Sequence, residues 1–529
     1  MRYVDFDKTA GYRRLAGLKA SGNKVDLGSL LTAEQVHRCQ VPMAAGLIYS
    51  WAAKGVDTPV LESLQALAEE QELIGKYQAI LEGAEMNTGE HRKVLHHLLR
   101  GQLGKPVIHE GKDIGAFYRQ EQERFSAFAD AVHAGTLRGS TGKAFTTVVQ
   151  IGIGGSDLGP RALYLALENW AAAAGKQRLQ AKFISNVDPD DASQVAASVV
   201  LEQTIFVLVS KSGTTQETLA NELFIKAKLH KAGLDPSKHL VAVTSETSPL
   251  AHNPSYLDSF YIDDFIGGRY SSTSGVGGVV LSLAFGKEVF KAILAGAHEA
   301  DALGLEPNIA KNAALLDALI GVWERNFQGY PYTAILPYSQ GLSRFPAHLQ
   351  QLDMESNGKR VNRNGEPLAY ATGPVVFGEP GTNGQHSFYQ LLHQGTDVIP
   401  LQFVGFIESQ RGEDLMVDGS LSQTKLKANL AAQIVAFAKG KTDPHGNKVF
   451  PGGRSSSLIY GKRLTPEALG ALLAHFENKV MFQGLVWNLN SFDQEGVQLG
   501  KVLTKKVLAA HGGSSGDPAL DAYSALLGV

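Results

Sequence analysis

Short apolar runs and helix-spaced apolar residues alternate along most of this chain. Residues 1–114 are predicted to be mostly helical, because segments such as Val60–Ala79 and His91–Leu99 place apolar side chains at helical spacing. From Phe145 the pattern changes to short β-branched runs separated by helical stretches, one of them around Phe285–Ile320. The predicted strands are Thr146–Ile151, Lys182–Asn186, Thr204–Ser210, His239–Thr244, Tyr332–Leu336 and Val398–Phe406.

Strands that alternate with helices indicate βαβ units and parallel sheets. A chain of 529 residues also exceeds the ~250–300 residues that one hydrophobic core usually spans. We therefore expect an α/β fold with two doubly wound sheets flanked by helices, the second completed by the helical N-terminal segment. The expected divisions are a helical N-terminal part of a large domain at 1–114, a small domain at 115–288, the rest of the large domain at 289–490, and a C-terminal helical arm at 491–529 that breaks at 512–516.

Composition and charge limit the classes of molecule that this protein is expected to bind. A formal net charge of −3 provides no global field for a polyanion, which argues against general nucleic-acid binding. The single cysteine, Cys39, excludes an intrachain disulfide and supplies no zinc cluster. The acidic start at Met1–Asp7 is unlike a signal peptide, and no apolar run approaches the ~18–20 residues that span a bilayer. We expect a cytoplasmic protein with no membrane partner.

A glycine-rich segment follows the first predicted strand. Gly152–Pro160 leads into a helix that opens at Arg161. Glycines at such a turn let backbone N–H groups approach an anion, which the helix N-terminus also favours. Counted from Gly152, the third glycine of a dinucleotide fingerprint is Asp157, and there is no Walker lysine. By itself, the motif fits a tight structural turn as well as it fits an anion-binding loop.

A second loop, after the strand that ends at Ser210, concentrates hydroxyl groups beside a lysine. Its polar residues are Ser210, Lys211, Ser212, Thr214 and Thr215. The carboxyl end of a strand is where open α/β sheets bind ligands. Thr214 and Glu217 have the spacing of a capping box, which predicts a helix start but does not explain the other hydroxyls. A phosphomonoester, with several acceptor oxygens and about two negative charges, explains them together.

This second loop and its continuation to Thr218 resemble the sugar isomerase domain, and with Gly152–Pro160 they resemble the glucose-6-phosphate isomerase family. Matching blocks extend from Phe145 to Lys501. The resemblance implies two sugar isomerase-type sheets, a sugar phosphate substrate, no cofactor, and a homodimer. The binding residues that it implies in the two loops are Gly155, Ser156, Ser210, Lys211, Ser212 and Thr215.

Glu355 ends a stretch with helical spacing. The apolar residues of this stretch are Leu342, Phe345, Leu349 and Leu352, and they would bury one face of a helix. Gln351 and Glu355 lie four apart and share another face, before Asn357-Gly358 ends the helix. Surface exposure would be the better interpretation of an isolated glutamate. Gln351–Lys359, however, resembles the catalytic block of the family, which implies that Glu355 is the base and that Gln351 contacts the substrate.

His386 lies in a loop rich in glycine and asparagine, 378–388, just before a predicted helix. The positive end of that helix would disfavour an imidazolium, and a neutral imidazole can exchange protons with sugar hydroxyls. Considered by themselves, His386 and His393 could both be surface or core residues. The resemblance assigns ring opening to His386 alone, contributed to the active site by the neighbouring subunit.

Arg269 follows two glycines in 266–272. One interpretation pairs this arginine with Asp263 or Asp264. By resemblance, Arg269 instead faces the reacting carbons, where a developing enediolate needs a positive charge. Ser272–Gly275 departs from the Leu-Trp-Ser-Ala that many family members carry, which bears on local packing and on substrate tolerance.

The segment 492–501 resembles the C-terminal signature of the family. Gln494 and Lys501 are seven residues apart, two turns along one helical face. A solvated surface charge is the usual interpretation of a single lysine. The resemblance places Lys501 among the catalytic residues and Gln494 among the substrate-binding ones.

The combined interpretation is an aldose–ketose isomerase that interconverts glucose 6-phosphate and fructose 6-phosphate. Its catalytic residues would be Glu355, His386, Lys501 and Arg269. A non-catalytic sugar-phosphate sensor is the alternative, but a sensor would need the phosphate loop without these four residues. No metal site is predicted, since His91, His96 and His97 do not form an HExxH arrangement.

Overall fold

Parallel strands form two separate sheets, both within residues Met1–Ser491. The computed structural model describes residues 1–22 and 25–529. The strands are β1 Gln40–Pro42, β2 Ile48–Ser50, β3 Glu85–Asn87, β4 Arg92–Lys93, β5 Ile108–His109, β6 Lys112–Asp113, β7 Thr147–Ile151, β8 Gln180–Ile184, β9 Thr204–Val209, β10 Leu240–Thr244, β11 Asp258–Tyr261, β12 Tyr332–Tyr338, β13 Val375–Phe377, β14 Leu401–Phe406, β15 Met416–Val417, β16 Ser420–Leu421 and β17 Ser456–Gly461.

The described residues also form α-helices. They are α1 Ala10–Ala20, α2 Leu27–Leu30, α3 Ala33–Arg38, α4 Thr58–Glu70, α5 Leu73–Leu81, α6 Ile114–His133, α7 Leu158–Ala173, α8 Pro189–Ala197, α9 Gln216–Lys231, α10 Gly275–Phe285, α11 Lys287–Leu303, α12 Ala313–Asn326, α13 Phe345–Gln350, α14 Tyr389–Gln394, α15 Ser422–Lys439, α16 Pro466–Val486, α17 Gln498–Ala510 and α18 Pro518–Leu527. In the part of the chain that the structure describes, no helix combines the length and apolar character needed to cross a membrane.

The five-stranded sheet has the order β11-β10-β9-β7-β8, and all of its pairings are parallel. Its central strands β7, β9 and β10 are buried along their whole length, as expected when helices cover both faces. From β7 the chain passes to β8 on one side and then to β9 on the other. The crevice between the carboxyl ends of β7 and β9 is therefore the topological switch point of this sheet.

The six-stranded sheet has the order β1-β2-β17-β14-β12-β13. Strands β17, β14, β12 and β13 are parallel, whereas β2 pairs antiparallel with β17 and β1 pairs antiparallel with β2. The N-terminal segment thus completes this sheet, as predicted, although it does so with two strands of three residues each. Such short strands lack a periodicity that the sequence could reveal.

The expected fold class, α/β with two doubly wound sheets flanked by helices, is confirmed. The prediction of a helix at His91–Leu99 is wrong, because this stretch contains β4 and then a 3-10 turn at His96–Leu99. Val60–Ala79 is not one helix but parts of α4 and α5, separated where Glu72 adopts a left-handed backbone conformation (φ 52°). The division of residues 1–490 at positions 114 and 288 stays a prediction.

Residues Phe492–Val529 form a second compact unit. It contains a 3-10 turn at Glu495–Val497, followed by α17 and α18. Helix α17 ends where His511 takes the left-handed conformation, and the Asp517 side chain caps α18 by accepting hydrogen bonds from the N–H groups of Ala519 and Leu520. The predicted break at residues 512–516 lies between these two helices.

Candidate active site

The two loops predicted to bind phosphate lie at the switch point of the five-stranded sheet. Residues 152–157 follow β7 and residues 210–215 follow β9, and these two strands are hydrogen-bonded neighbours in parallel register. Because the carboxyl ends of parallel strands meet at one edge, the two loops lie side by side. This is the position at which open α/β sheets bind ligands.

Gly155 lets the first loop touch another backbone directly. A Cβ atom at this buried residue would lie 2.2 Å from both the carbonyl carbon and the carbonyl oxygen of Gly268. At Gly154, a Cβ would lie 3.4 Å from the Nε2 atom of Gln351. The first loop therefore contacts the segment that leads to Arg269 and also lies beside Gln351. Ser156 is half-buried in the same loop.

In the second loop, side-chain hydroxyl groups form hydrogen bonds with one another. Ser210 Oγ donates to Thr215 Oγ1 at 3.1 Å, and Thr214 Oγ1 donates to Ser212 Oγ at 3.0 Å. The predicted capping box at Thr214 is wrong. Helix α9 begins at Gln216, and Thr215, at its N-cap position, makes no capping bond with its side chain. The Thr214 hydroxyl is engaged within the loop, so it does not cap the helix.

Lys211 ties the second loop to the segment that precedes Arg269. Its Nζ atom donates to the carbonyl oxygen of Ile266 at 3.3 Å and lies 3.6 Å from Oδ1 of Asp264. The pairing of Arg269 with Asp263 or Asp264, left open by the sequence, is replaced by this lysine at Asp264. Burial raises the pKa of the Asp263 carboxyl to about 6.

Arg269 is held inside the protein by Glu355, Ser356 and the Ser491 carbonyl. Its side chain is only 1% exposed, and its Nη1 atom lies 3.3 Å from Oε2 of Glu355. Its Nε donates to Ser356 Oγ at 2.7 Å, and its Nη2 donates to the carbonyl oxygen of Ser491 at 2.6 Å. The planar guanidinium fork suits such multiple fixed contacts.

Glu355 ends a π-helical turn, Gln351–Glu355, that continues α13. The predicted buried face is confirmed, because the four apolar residues are all buried: Leu342, Phe345, Leu349 and Leu352. The Glu355 side chain is 23% exposed, so a substrate can reach the carboxylate while its partner arginine remains buried. π-Helical turns are rare and occur frequently at functional sites.

Two neighbours in the same turn face the interior. Oε1 of Gln351 and Oδ1 of Asp353 are both buried and lack a hydrogen-bond partner in the described part of the chain. Burial raises the pKa of the Asp353 carboxyl to about 7, against the opposing charge of Lys479. The turn thus directs one carboxylate inward, at Asp353, and leaves Glu355 as its accessible one.

The departure from the family at Ser272–Gly275 lies in a tightly packed region. Ser272 and Thr273 are buried, and Thr273 Oγ1 accepts a hydrogen bond from Nε of Arg100 at 3.3 Å. A Cβ at Gly159 of α7 would lie 1.9 Å from Ser272 Oγ. The small residue at 272 is thus matched by a glycine in the facing helix.

The remaining predicted residues lie elsewhere in the chain. His386 ends a 3-10 turn at Asn383–His386 and is exposed, and the helix predicted after it begins at Tyr389. Lys501 is an exposed residue of α17, and Gln494 precedes the 3-10 turn of the C-terminal unit. The structure therefore brings Gly155, Gln351, Glu355, Arg269 and both loops together. The participation of His386, Lys501 and Gln494 stays a prediction.

Sequence reasoning missed the residues that hold the arginine. Ser356 and Tyr270 directly follow Glu355 and Arg269 in the chain, but adjacency to a catalytic motif is a weak signal by itself. Ser491 carries no motif signal, since it contributes a backbone carbonyl. Among the described residues, no group of three or more histidine, cysteine, aspartate or glutamate side chains is placed to hold a metal ion.

Two doubly wound sheets, with two loops at a switch point and an arginine–glutamate pair beside them, define an α/β protein whose candidate site lies at that switch point. The family model for phosphoglucose isomerase matches residues 50–523. The chain belongs to the phosphoglucose isomerase family, as its sequence motifs predicted.

Relatives cover nearly the whole chain. An alignment of 532 positions with the glucose-6-phosphate isomerase of Treponema denticola covers 100% of both chains at 59% identity. The identity to the glucose-6-phosphate isomerase of Treponema pallidum (strain Nichols) is 61%, over 96% of both chains. Among solved structures, a glucose-6-phosphate isomerase from Chlamydia trachomatis superposes with a TM-score of 0.92 at 41% identity, over 99% of both chains.

Proposed function

We propose that this protein, whose relatives are named glucose-6-phosphate isomerase, catalyses the reversible isomerisation of glucose 6-phosphate and fructose 6-phosphate. The observation that carries the proposal is the pairing of a reachable carboxylate, Glu355, with the buried guanidinium of Arg269 at 3.3 Å. This pair lies beside the loops at the switch point, where Gly155 contacts Gly268. A base and a fixed cation beside an anion-binding edge suit proton transfer within a sugar phosphate.

In the proposed chemistry, Glu355 removes the proton from C2 of the open-chain aldose. The C–H electron pair forms a C1=C2 double bond, and the carbonyl π pair moves to O1, which gives a cis-enediolate. Arg269, with Gln351 or Gln494, stabilises this charge. Glu355 then returns the proton to C1 while the carbonyl forms at C2 and the proton of the C2 hydroxyl passes to O1. Every hydrogen is retained, so the reaction needs no external oxidant or reductant.

The phosphate is assigned to the two loops at the switch point. We propose that the groups that bind it are Ser156, Ser210, Lys211, Ser212 and Thr215, with Gly155 shaping the first loop. The mutual hydrogen bonds of Ser210 with Thr215 and of Thr214 with Ser212 keep these hydroxyls clustered before a ligand arrives. Preorganised donors of this kind cost little reorganisation when an anion binds.

Ring opening is assigned to a histidine from a second subunit. We propose a cytoplasmic homodimer in which the partner's His386, assisted by Lys501, is the acid and base of ring opening. A proton is given to the ring oxygen O5 as the C1–O5 bond breaks, and the proton of the C1 hydroxyl is taken up as the C1 carbonyl forms. The exposure of His386 on its own chain supports a role between subunits.

The alternative, a non-catalytic sugar-phosphate sensor, uses only the phosphate loops. It gives no reason for Arg269 to be buried beside Glu355 while Ser356 and the Ser491 carbonyl direct it towards that carboxylate. The isomerase explains both the loops and this pair, and it is therefore the function that we propose.

A coupled assay tests the activity. Purified protein is given fructose 6-phosphate, and glucose 6-phosphate formation is followed through a dehydrogenase, with a chelator present and without added metal. Turnover that depends on Glu355 is expected, whereas binding without turnover would support the sensor and overturn the proposal. Mannose 6-phosphate, run in parallel, tests whether the small residues at Ser272–Gly275 widen specificity.

Complementation between subunits tests the shared site. Glu355→Gln and His386→Ala variants are each expected to be inactive by themselves. After co-refolding, mixed dimers contain one site with both native residues, so about a quarter of the normal activity per mixture is expected for random association, in line with the pairing statistics of closed two-fold dimers. If no activity returns although the mixed dimer forms, His386 acts within its own chain.

A further inference from the structure

A buried serine links the two catalytic segments. Ser356 Oγ accepts a hydrogen bond from Nε of Arg269 at 2.7 Å and lies 2.9 Å from the hydroxyl of Tyr270. All three side chains are buried within the protein. Ser356 immediately follows Glu355, so a single hydroxyl connects the end of the π-helical turn to the 3-10 turn Gly268–Thr273 that carries the arginine.

Tyr270 is itself fixed from behind. Its ring stacks on His96, with the ring centroids 4.6 Å apart and the planes inclined by 26°. Burial raises the pKa of the Tyr270 phenol, which keeps the hydroxyl neutral and able to donate. The phenol therefore holds Ser356 in place without adding a charge next to Arg269.

A second set of contacts holds the other side of the guanidinium. The Ser491 carbonyl accepts from Nη2 of Arg269, and Ser491 Oγ donates to Oδ1 of Asn357 at 2.7 Å. Asn357 Nδ2 in turn donates to the carbonyl of Val480 at 2.9 Å. Nε and Nη2 are thus both directed by residues that belong to, or are bound to, the segment just after Glu355.

We propose that Ser356 and Tyr270 are positioning residues for the isomerisation: they fix the plane of the Arg269 guanidinium so that Nη1 faces the Glu355 carboxylate and the enediolate formed beside it. This proposal rests on the proposed function. A planar fork whose Nε and Nη2 are anchored has no rotational freedom left at Nη1. Loss of one anchor allows the guanidinium to tilt, and a misplacement of about 1 Å can cost ~10²-fold in rate.

Two conservative variants test the proposal. Ser356→Ala removes only the shared hydroxyl, and Tyr270→Phe removes one oxygen while the ring can still stack on His96. The expected kcat losses are roughly 10–100-fold for Ser356→Ala and smaller for Tyr270→Phe, with KM unchanged within about threefold. Because both act through one hydrogen-bond chain, the double variant should lose no more than Ser356→Ala alone.

Ser282→Ala is the matched control. Ser282 is another fully buried serine, in α10, and its hydroxyl has no hydrogen-bond partner among the described residues. This variant should keep the kcat and KM of the native protein. Thermal unfolding of all variants shows whether a loss of rate accompanies a loss of fold.

The possible outcomes are distinct. If the native protein does not isomerise the sugar phosphate, the proposed function fails. If it does, and Ser356→Ala keeps near-native kcat, the positioning role is overturned. A parallel loss of kcat, KM and thermal stability in both variants would mean a structural role and would also overturn it. If Ser356→Ala does not fold, Tyr270→Phe serves as the test. A lower kcat with unchanged KM then supports the positioning role, and a near-native kcat overturns it.

Discussion

Nη1 of Arg269 lies 3.3 Å from Oε2 of Glu355, with the arginine buried and the glutamate partly open to solvent. Arg269 lies in the connection that follows β11 of the five-stranded sheet, whereas Glu355 lies in the connection that follows β12 of the six-stranded sheet. Their meeting gives the partly exposed carboxylate a fixed positive neighbour. The stability of this junction, and the chemistry it supports, can each be tested by substitution.

Removal of the base should separate binding from turnover. Glu355→Gln keeps the size and much of the hydrogen bonding of the side chain but cannot accept the C2 proton. We expect kcat to fall by at least ~10²–10⁴-fold, with sugar-phosphate affinity retained within a few-fold. The coupled assay measures the rate, and isothermal titration with a non-isomerisable sugar phosphate measures the affinity. A near-native rate would remove Glu355 from the proposed role.

Gly155→Ala should disrupt the contact between the predicted phosphate-binding loop 152–157 and the segment that leads to Arg269. The new Cβ would meet the Gly268 backbone at 2.2 Å, and backbone atoms cannot move aside as a flexible side chain can. We expect a loss of about 1–3 kcal/mol of unfolding free energy together with reduced activity. Denaturant unfolding measures the free energy of unfolding, and the coupled assay measures the activity.

Gly17→Ala provides the control for that experiment. Gly17 lies in α1 and a Cβ there meets nothing within 4 Å. Alanine at this position should stabilise the protein by about 0.5–1 kcal/mol through helix propensity. Equal destabilisation by both substitutions would contradict the specific role of the Gly155–Gly268 contact.

His348 should make stability depend on pH. Burial lowers the pKa of this histidine to about 4, below the value of about 6.5 in the unfolded chain. Between these values the unfolded state binds more protons, so the histidine's contribution to stability is lost as the pH falls below about 6.5. From pH 7.5 to 5.5 the expected loss is about 1.4 kcal/mol.

The measurement compares variants, since Asp353 and Glu477 have folded pKa values of about 7 and act in the opposite direction. Between pH 7.5 and 5.5, His348→Leu should gain about 1.4 kcal/mol relative to the native protein, because leucine cannot take up a proton. His37→Ala, at an exposed position, should follow the native pH dependence. If the unfolding free energies of His348→Leu and of the native protein change equally with pH, the prediction is refuted.

Lys54 should anchor the N-terminal segment to helix α12. Its Nζ atom lies 3.0 Å from both carboxylate oxygens of Glu324 in α12, and both side chains are buried. Lys54→Met leaves an uncompensated buried carboxylate, so we expect a loss of about 3–5 kcal/mol in unfolding free energy. Denaturant unfolding at neutral pH measures it.

A surface pair serves as the comparison. Lys143 and Glu202 approach to 2.6 Å, but the lysine is exposed, and Lys143→Met should change stability by less than about 1 kcal/mol. Adding Glu324→Gln to Lys54→Met should recover much of the loss, because the buried charge is then gone. If the double variant is as unstable as Lys54→Met, burial of an unpaired charge is not the cause.

Local sequence determined the elements with the strongest patterns. The β-branched runs predicted the parallel strands β7, β9 and β10 within one or two residues, because buried strands are continuous apolar runs. The spacing of Leu342, Phe345, Leu349 and Leu352 predicted the buried face behind Glu355. Errors occurred where one residue decided the conformation, as at Glu72 between α4 and α5, or where strands of three residues depend on a distant partner.

What the sequence determined by itself is therefore the fold class, the family and the residue types available for chemistry. The tertiary structure decided which of these residues meet. It placed the backbone of Gly155 against that of Gly268, paired Arg269 with Glu355 and not with Asp263 or Asp264, and brought Ser356, Tyr270 and the Ser491 carbonyl around the guanidinium. Such contacts join residues distant in the chain, and their geometry depends on packing that no local pattern records.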